Sequence, residues 1–179
     1  VVLSGAVGGA LLMNRTDTVS SELIEHLQPA RVAAYRLQAG LRDQETAVRG
    51  YASAADSQFL APYDDGQRAE TAAAQKLRSL LEGREALIAD LDAIERAAGT
   101  WRSTYAQPVI ASVVVGHPAV VDSRTNEEGK KEFDYLRALF DAQNAHLAQA
   151  RDADTARLAS IRQLRDRVLA TMVGAFVVM

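Results

Sequence analysis

The sequence predicts an all-α protein, an up-down-up-down bundle of four helices with long first and last helices. Alanine is the commonest residue, aromatic residues make up only 6 %, and Gly and Pro are sparse at 11 and 4 of 179 residues. This composition is typical of long packed helices and not of a sandwich or barrel. The chain has no cysteine, so its stability must come from helix packing without disulfides.

The first predicted helix begins near Ser20, where apolar residues start to recur at alternating steps of four and three. This spacing is typical of a helix that lies almost parallel to its partners. Pro29 removes a backbone hydrogen bond and predicts a kink near Leu27. Taken over residues 17–53, the helix would be about 55 Å long. The predicted core positions are Leu23, Leu27, Ala30, Ala34, Leu37, Leu41, Gln44, Val48 and Tyr51.

Two further helices follow, separated by turn signals. Asp56 or Ser57 is suited to cap the second helix, and Gly83 is suited to end it in the left-handed conformation. Pro108 should bend or fray the end of the third helix, and the sequence from Gly116 to Pro118 should break it. The predicted core positions are Phe59, Tyr63, Ala73, Leu77 and Leu80 on the second helix, and Leu87, Leu91, Ile94, Ala98, Trp101 and Tyr105 on the third.

The last predicted helix follows a poorly patterned stretch over residues 122–128. Its core positions are Phe133, Leu136, Phe140, Leu147, Leu158, Ile161 and Val168. Four helices return the chain to the side from which it started, as a loop between two membrane helices requires.

Both ends of the chain are apolar. No ionisable side chain occurs in residues 1–13 or 168–179, and each run is shorter than the ~20 residues of a membrane-spanning helix. We therefore predict three segments: residues 1–13 as the end of a first transmembrane helix, 14–167 as an extracytoplasmic sensor domain, and 168–179 as the start of a second transmembrane helix. A signal-peptide core would explain the first run alone, and two amphipathic or buried terminal helices are a further alternative.

Charge and motifs argue against several functions. A net charge of -3 without a basic stripe makes nucleic acid an improbable partner. His26, His117 and His146 have no second His or carboxylate three or four residues later, so no metal or cofactor is predicted. No nucleophile or phosphate-loop motif occurs, and adjacent acids such as Asp64 and Asp65 are predicted to be a solvated surface.

One segment, DQETAVRGYASAADSQFLAPYDD at residues 43–65, resembles the signature of the third class of CHASE-type sensory domains. The later FDYLRALF resembles the opening of that family's last helix. The family's glycine-containing tip is replaced here by Ala and Ser at residues 52–55. The matching positions are Glu45, Arg49, Gly50, Tyr51, Phe59, Leu60, Pro62 and Tyr63, then Phe133, Asp134, Arg137 and Phe140.

The resemblance implies an extracellular input domain that feeds a histidine kinase, a nucleotide cyclase or a similar output. It names no ligand, which could be a small molecule or a protein. From the residues themselves, Glu45 and Arg49 predict an i,i+4 ion pair worth about 0.2–0.5 kcal/mol. Gly50 predicts that the helix ends nearby or that another backbone packs closely there. A hairpin tip held by Tyr51, Phe59 and Tyr63 is the alternative to a ligand contact.

Three polar residues fall on predicted core positions: Gln44, Gln143 and Asp154. Each could fix helix register at some cost in stability, or line a small polar cavity. Around Asp154 two consecutive steps of four interrupt the alternation on the last helix, which locally unwinds a supercoil. A domain that transmits helix movement could use this locally unwound region.

The predicted function is therefore a sensory input domain of a transmembrane receptor, most simply a histidine kinase, that transmits displacement of its first and last helices. A homodimer is expected because kinase outputs of this kind act in pairs. Two alternatives stay open: the ligand-binding bundle of a methyl-accepting chemoreceptor, and a membrane-tethered structural or adaptor bundle.

Overall fold

The computed structural model describes residues 23–117 and 122–177. The predicted transmembrane residues 1–13 lie outside this part, as does the side chain of Leu23. Helices account for nearly all of it: a π-helical turn Leu23–Leu27, α1 Gln28–Ala54, a 3-10 turn Ser57–Phe59, α2 Leu60–Leu80, α3 Glu85–Trp101, a π-helical turn Arg102–Ala106, α4 Gln107–Ser112 and α5 Ser123–Val177.

Neighbouring helices run antiparallel in the compact unit Ala30–His146. Gly50 of α1 lies against Phe59, while Gly40 lies against Gly66 further along α2. On the other side, Gln38 and Glu45 of α1 contact α5 residues in descending order, Asn144 and Arg137. Helix α3 is antiparallel to α2 and α5 in the same way: Arg78–Asp92 and Glu70–Arg102 join it to α2, and Trp101–Phe133 and Asp90–His146 join it to α5. The predicted up-down-up-down bundle is confirmed.

Most residues that the 4-3 spacing predicts as core are buried. On the first predicted helix every predicted core position from Leu27 to Tyr51 is buried, and on the third every position from Leu87 to Tyr105 is buried. The last helix keeps its predicted seam through Leu158, whereas Ile161 and Val168 are only partly buried. Phe59 is the exception on the second helix, because it is 37 % exposed.

Gly83 has the predicted left-handed conformation, with φ 79°. The Asp56 carboxylate accepts a hydrogen bond of 2.9 Å from the backbone N–H of Gln58. Asp56 thus caps the 3-10 turn that leads into α2, while α2 itself begins after Phe59 without a side-chain cap. Ala55 takes the left-handed conformation, with φ 52°, that a glycine would adopt without strain. Its carbonyl accepts a hydrogen bond of 3.1 Å from the backbone N–H of Gly116, which joins the two loops at this end of the bundle.

Two of the prolines inside helices each follow a π-helical turn by two residues. Pro29 follows Leu23–Leu27, and Pro108 follows Arg102–Ala106. Proline lacks the N–H that would close an α-helical bond, and a wider turn is one way to rearrange the bonds around it. The predicted disturbances therefore occur as π-helical turns.

Helix α5 begins at Ser123, ten residues before Phe133, so the prediction that the last helix begins only after residues 122–128 is wrong. The carboxylate of Asp122 accepts hydrogen bonds from the backbone N–H and the hydroxyl of Thr125. Two i,i+4 ion pairs follow, Arg124–Glu128 and Glu127–Lys131. A cap and surface ion pairs stabilise a helical turn without any apolar periodicity.

The second compact unit contains the described residues 23–29 and 147–177. Its α5 segment buries Leu158 and exposes Leu164, Leu169 and Val173. Among all residues that the structure describes, no helix combines the length and the apolar character that a membrane crossing requires.

Candidate functional site

A buried polar cluster joins three helices at the centre of the bundle. The Gln44 side-chain amide donates hydrogen bonds to the carbonyl of Gly40, at 3.2 Å, and to the carboxylate of Glu70, at 2.7 Å. The guanidinium of Arg102, in the π-helical turn after α3, donates to the same carboxylate oxygen at 2.6 Å and to the Gln44 amide oxygen at 3.4 Å. We call Gln44, Glu70 and Arg102 the central cluster.

Two glycines allow α1 and α2 to approach closely beside this cluster. A Cβ atom on Gly40 would lie 2.7 Å from the Gly66 carbonyl oxygen, and one on Gly66 would lie 2.6 Å from the Gly40 carbonyl oxygen. Neither contact is tolerable, so larger residues would force the helices apart. The short crossing distance brings the side chain of Gln44 within reach of Glu70.

The ion pair between Glu70 and Arg102 in the central cluster is largely shielded from water. The side chain of Glu70 is 8 % exposed and that of Arg102 21 %. Desolvation of two charges offsets most of their attraction, but removal of one partner leaves a buried charge without compensation. Burial also raises the pKa of the neighbouring Tyr63 phenol, against the opposing field of Arg102 and a hydrogen bond from Gln67.

The next residue of α1, Glu45, connects the two motifs of the predicted signature. Its carboxylate accepts a hydrogen bond from Arg137 of α5 at 3.0 Å and lies 3.7 Å from Arg49. Arg137 also pairs with Asp134 and lies 4.9 Å from the centre of the Phe133 ring. Residues 92 positions apart therefore form one network, and two consecutive residues of α1 contact α2, α5 and the π-helical turn after α3.

The first motif is only partly brought together. The Phe59 ring occupies the space that a Cβ on Gly50 would need, at 2.5 Å. Of the two alternatives predicted at Gly50, the helix does end nearby, at Ala54, whereas the close neighbour is a ring and not a backbone. Tyr51 and Tyr63 are buried. Leu60 is half-buried and Pro62 is exposed on the first turn of α2.

Sequence reasoning missed an aromatic cluster between α3 and α5. Trp101 contacts Phe133 edge-on, with ring centres 5.2 Å apart, and the Tyr105 ring fills the place of a side chain on Gly129. Burial raises the pKa of the Tyr105 phenol, while the charge of Arg49 acts in the opposite direction. Gly129 inside a charged helical stretch was the one signal for this close approach.

The three polar residues on the predicted core positions are all buried, but their environments differ. Gln44 is fully bonded in the central cluster, and Asp154 lies 3.9 Å from Arg157 on the same helix. Gln143 is completely buried, and within residues 23–117 and 122–177 neither end of its amide has a hydrogen-bond partner. A buried polar group without a partner costs about 1–3 kcal/mol.

In the described part of the chain, no three His, Asp or Glu residues are placed to hold a metal ion. Asp64 and Asp65 are exposed on α2, as predicted for a solvated surface.

A family model described as the CHASE3 domain matches residues 20–168. The match confirms the resemblance that residues 43–65 and the later FDYLRALF predicted. Neither a curated protein nor a solved structure matches the chain.

Proposed function

The chain belongs to the CHASE3 domain family, whose members are sensory domains of signalling receptors, and from this membership we propose that residues 14–167 are the extracytoplasmic input domain of a transmembrane sensor histidine kinase. The apolar residues 1–13 and 168–179 would then be the adjoining parts of two membrane helices. The receptor would act as a homodimer, and its ligand would be a small molecule or a protein.

The contact between α1 and α5 carries the mechanistic part of this proposal. Glu45–Arg137 and Gln38–Asn144 join these helices directly. They are also the helices that lead toward the two ends of the chain, since α1 follows the turn Leu23–Leu27 and α5 runs on to Val177. A ligand that binds one packing of the bundle more tightly would shift the two helices against each other, by no more than its differential affinity allows.

Cross-linking tests the proposal, because the chain has no cysteine of its own. Gln38→Cys with Asn144→Cys in the full-length receptor would be oxidised to a disulfide, and autophosphorylation would be measured in membrane vesicles. The uncross-linked sample of the same variant is the reference. We expect the cross-link to change the output several-fold and to fix it.

Arg78→Cys with Asp92→Cys provides the matched control. These residues form an exposed ion pair between α2 and α3, which a tight turn already connects. Cross-linking this pair should leave the output unchanged. An output that is insensitive to the α1–α5 cross-link, or equally sensitive to both, would contradict signalling by relative movement of the end helices.

A further inference from the structure

Gln143 is a buried residue of α5 in the compact unit Ala30–His146. The three preceding core positions of α5, Phe133, Leu136 and Phe140, are all large and apolar. Gln143 therefore interrupts an apolar seam with a polar side chain.

The contacts of α5 around Gln143 are polar. The Asn144 amide oxygen accepts a hydrogen bond of 3.2 Å from Gln38 of α1, and His146 pairs with Asp90 of α3 at 2.7 Å. His146 is exposed, and exposed polar contacts specify helix position less strictly than interlocked apolar side chains. The His146–Asp90 contact therefore fixes the position of α5 less strictly than the buried Phe140 does.

The buried amide of Gln143 acts against the packing that is described. Both its donor and its acceptor lack partners among the described residues, although the side chain is completely buried. Another placement of this part of α5, in which the amide reaches water or a polar neighbour, would remove that penalty. The apolar contacts of Phe140 and Leu147 favour the packing described here.

We propose that Gln143 is a regulatory residue that balances α5 between two packings, so that a modest differential affinity of a ligand is enough to shift it. The regulatory role rests on the proposed function, whereas the existence of two packings of α5 does not. A ligand needs the smallest differential affinity when the two packings are about equally populated. A methionine at this position would keep the shape and remove the penalty.

Spin-label distances test the proposal on this chain, with labels on Ala39→Cys of α1 and Ala145→Cys of α5. Both sites are exposed, and the sequence contains no other thiol. We expect two distance populations with Gln143 and a single one with Gln143→Met. Gln149→Met changes an exposed glutamine of the same helix and should preserve both populations.

A single population in the unmodified chain, or two populations that persist in Gln143→Met, would overturn the inference. A loss of thermal stability in Gln143→Met would also overturn it, since the amide would then hold an internal water or another partner. None of these results measures receptor output. Failure of the cross-linking experiment would therefore refute the signalling proposal without affecting the two packings.

Discussion

Two completely buried glutamines of this bundle, Gln44 and Gln143, have opposite surroundings. Gln44 of α1 bonds to a carboxylate, a guanidinium and a backbone carbonyl, next to a glycine crossing that brings the partners close. Gln143 of α5 lies in the core, and its amide has no partner in the part of the chain that the structure describes. The same residue type can thus fix one helix pair in register and weaken the packing of another.

The largest effect is expected at the charged member of the satisfied cluster. Arg102→Met would leave the buried carboxylate of Glu70 without its ion pair. We expect a loss of about 3 kcal/mol, the low end for a broken buried pair because Arg102 is one-fifth exposed, and a fall in Tm of roughly 6–12 °C. Thermal unfolding followed by circular dichroism measures it.

Arg78→Met is the control for that substitution. Arg78 pairs with two carboxylates, Asp92 and Glu95, and all three side chains lie on the surface. Its removal should hardly change Tm. Equal effects of the two substitutions would show that burial does not distinguish the central cluster from a surface ion pair.

The glycine crossing should be the next most sensitive feature. Gly40→Ala places a Cβ against the Gly66 carbonyl and should destabilise the fold by about 1–3 kcal/mol. Gly99→Ala, at a helical glycine with open space around it, should instead stabilise it by about 0.5–1 kcal/mol. Chemical denaturation gives both values, and the same sign for both would refute the close approach of α1 and α2.

A smaller effect is expected for a polar group that is satisfied but exposed. Asp122→Ala removes the cap of α5 and should lower Tm by roughly 2–4 °C at pH 7. Hydrogen bonds from Thr125 lower the pKa of this carboxylate from 3.8. The stabilisation by the charged Asp122 carboxylate is therefore fully present above pH 3.8, the ordinary pKa, and is lost as the pH falls through the lowered pKa.

Thermal scans of the Asp122→Ala variant and the unmodified chain from pH 2 to 7 would measure this dependence. The two Tm curves should converge at acid pH. A difference that is independent of pH would mean that the carboxylate is not the capping group.

The apolar periodicity was enough to predict most of the core, because the apolar face of each helix is the face that packs against neighbouring helices. It also placed Gln44, Gln143 and Asp154 inside. It could not predict which of them would find partners, since Glu70 and Arg102 come from other helices and look like surface charges in the sequence. The start of α5 was missed because its first two turns depend on a cap and ion pairs.

The two motifs of the signature were predicted separately, and their junction through Glu45 and Arg137 is visible only in three dimensions. The π-helical turn Arg102–Ala106 was likewise beyond sequence reasoning. It buries the consecutive residues Tyr105 and Ala106 and then Val109, which leaves Pro108 on the surface. A strict 4-3 alternation would have placed Pro108 in the core.

The difference between the two glutamines is tested most directly by measuring the Tm of Gln44→Met and Gln143→Met side by side. We expect Gln44→Met to lose roughly 3–10 °C, because a hydrogen bond to a buried carboxylate disappears, and Gln143→Met to gain roughly 2–4 °C. Shifts of the same sign would contradict the opposite roles assigned to these residues.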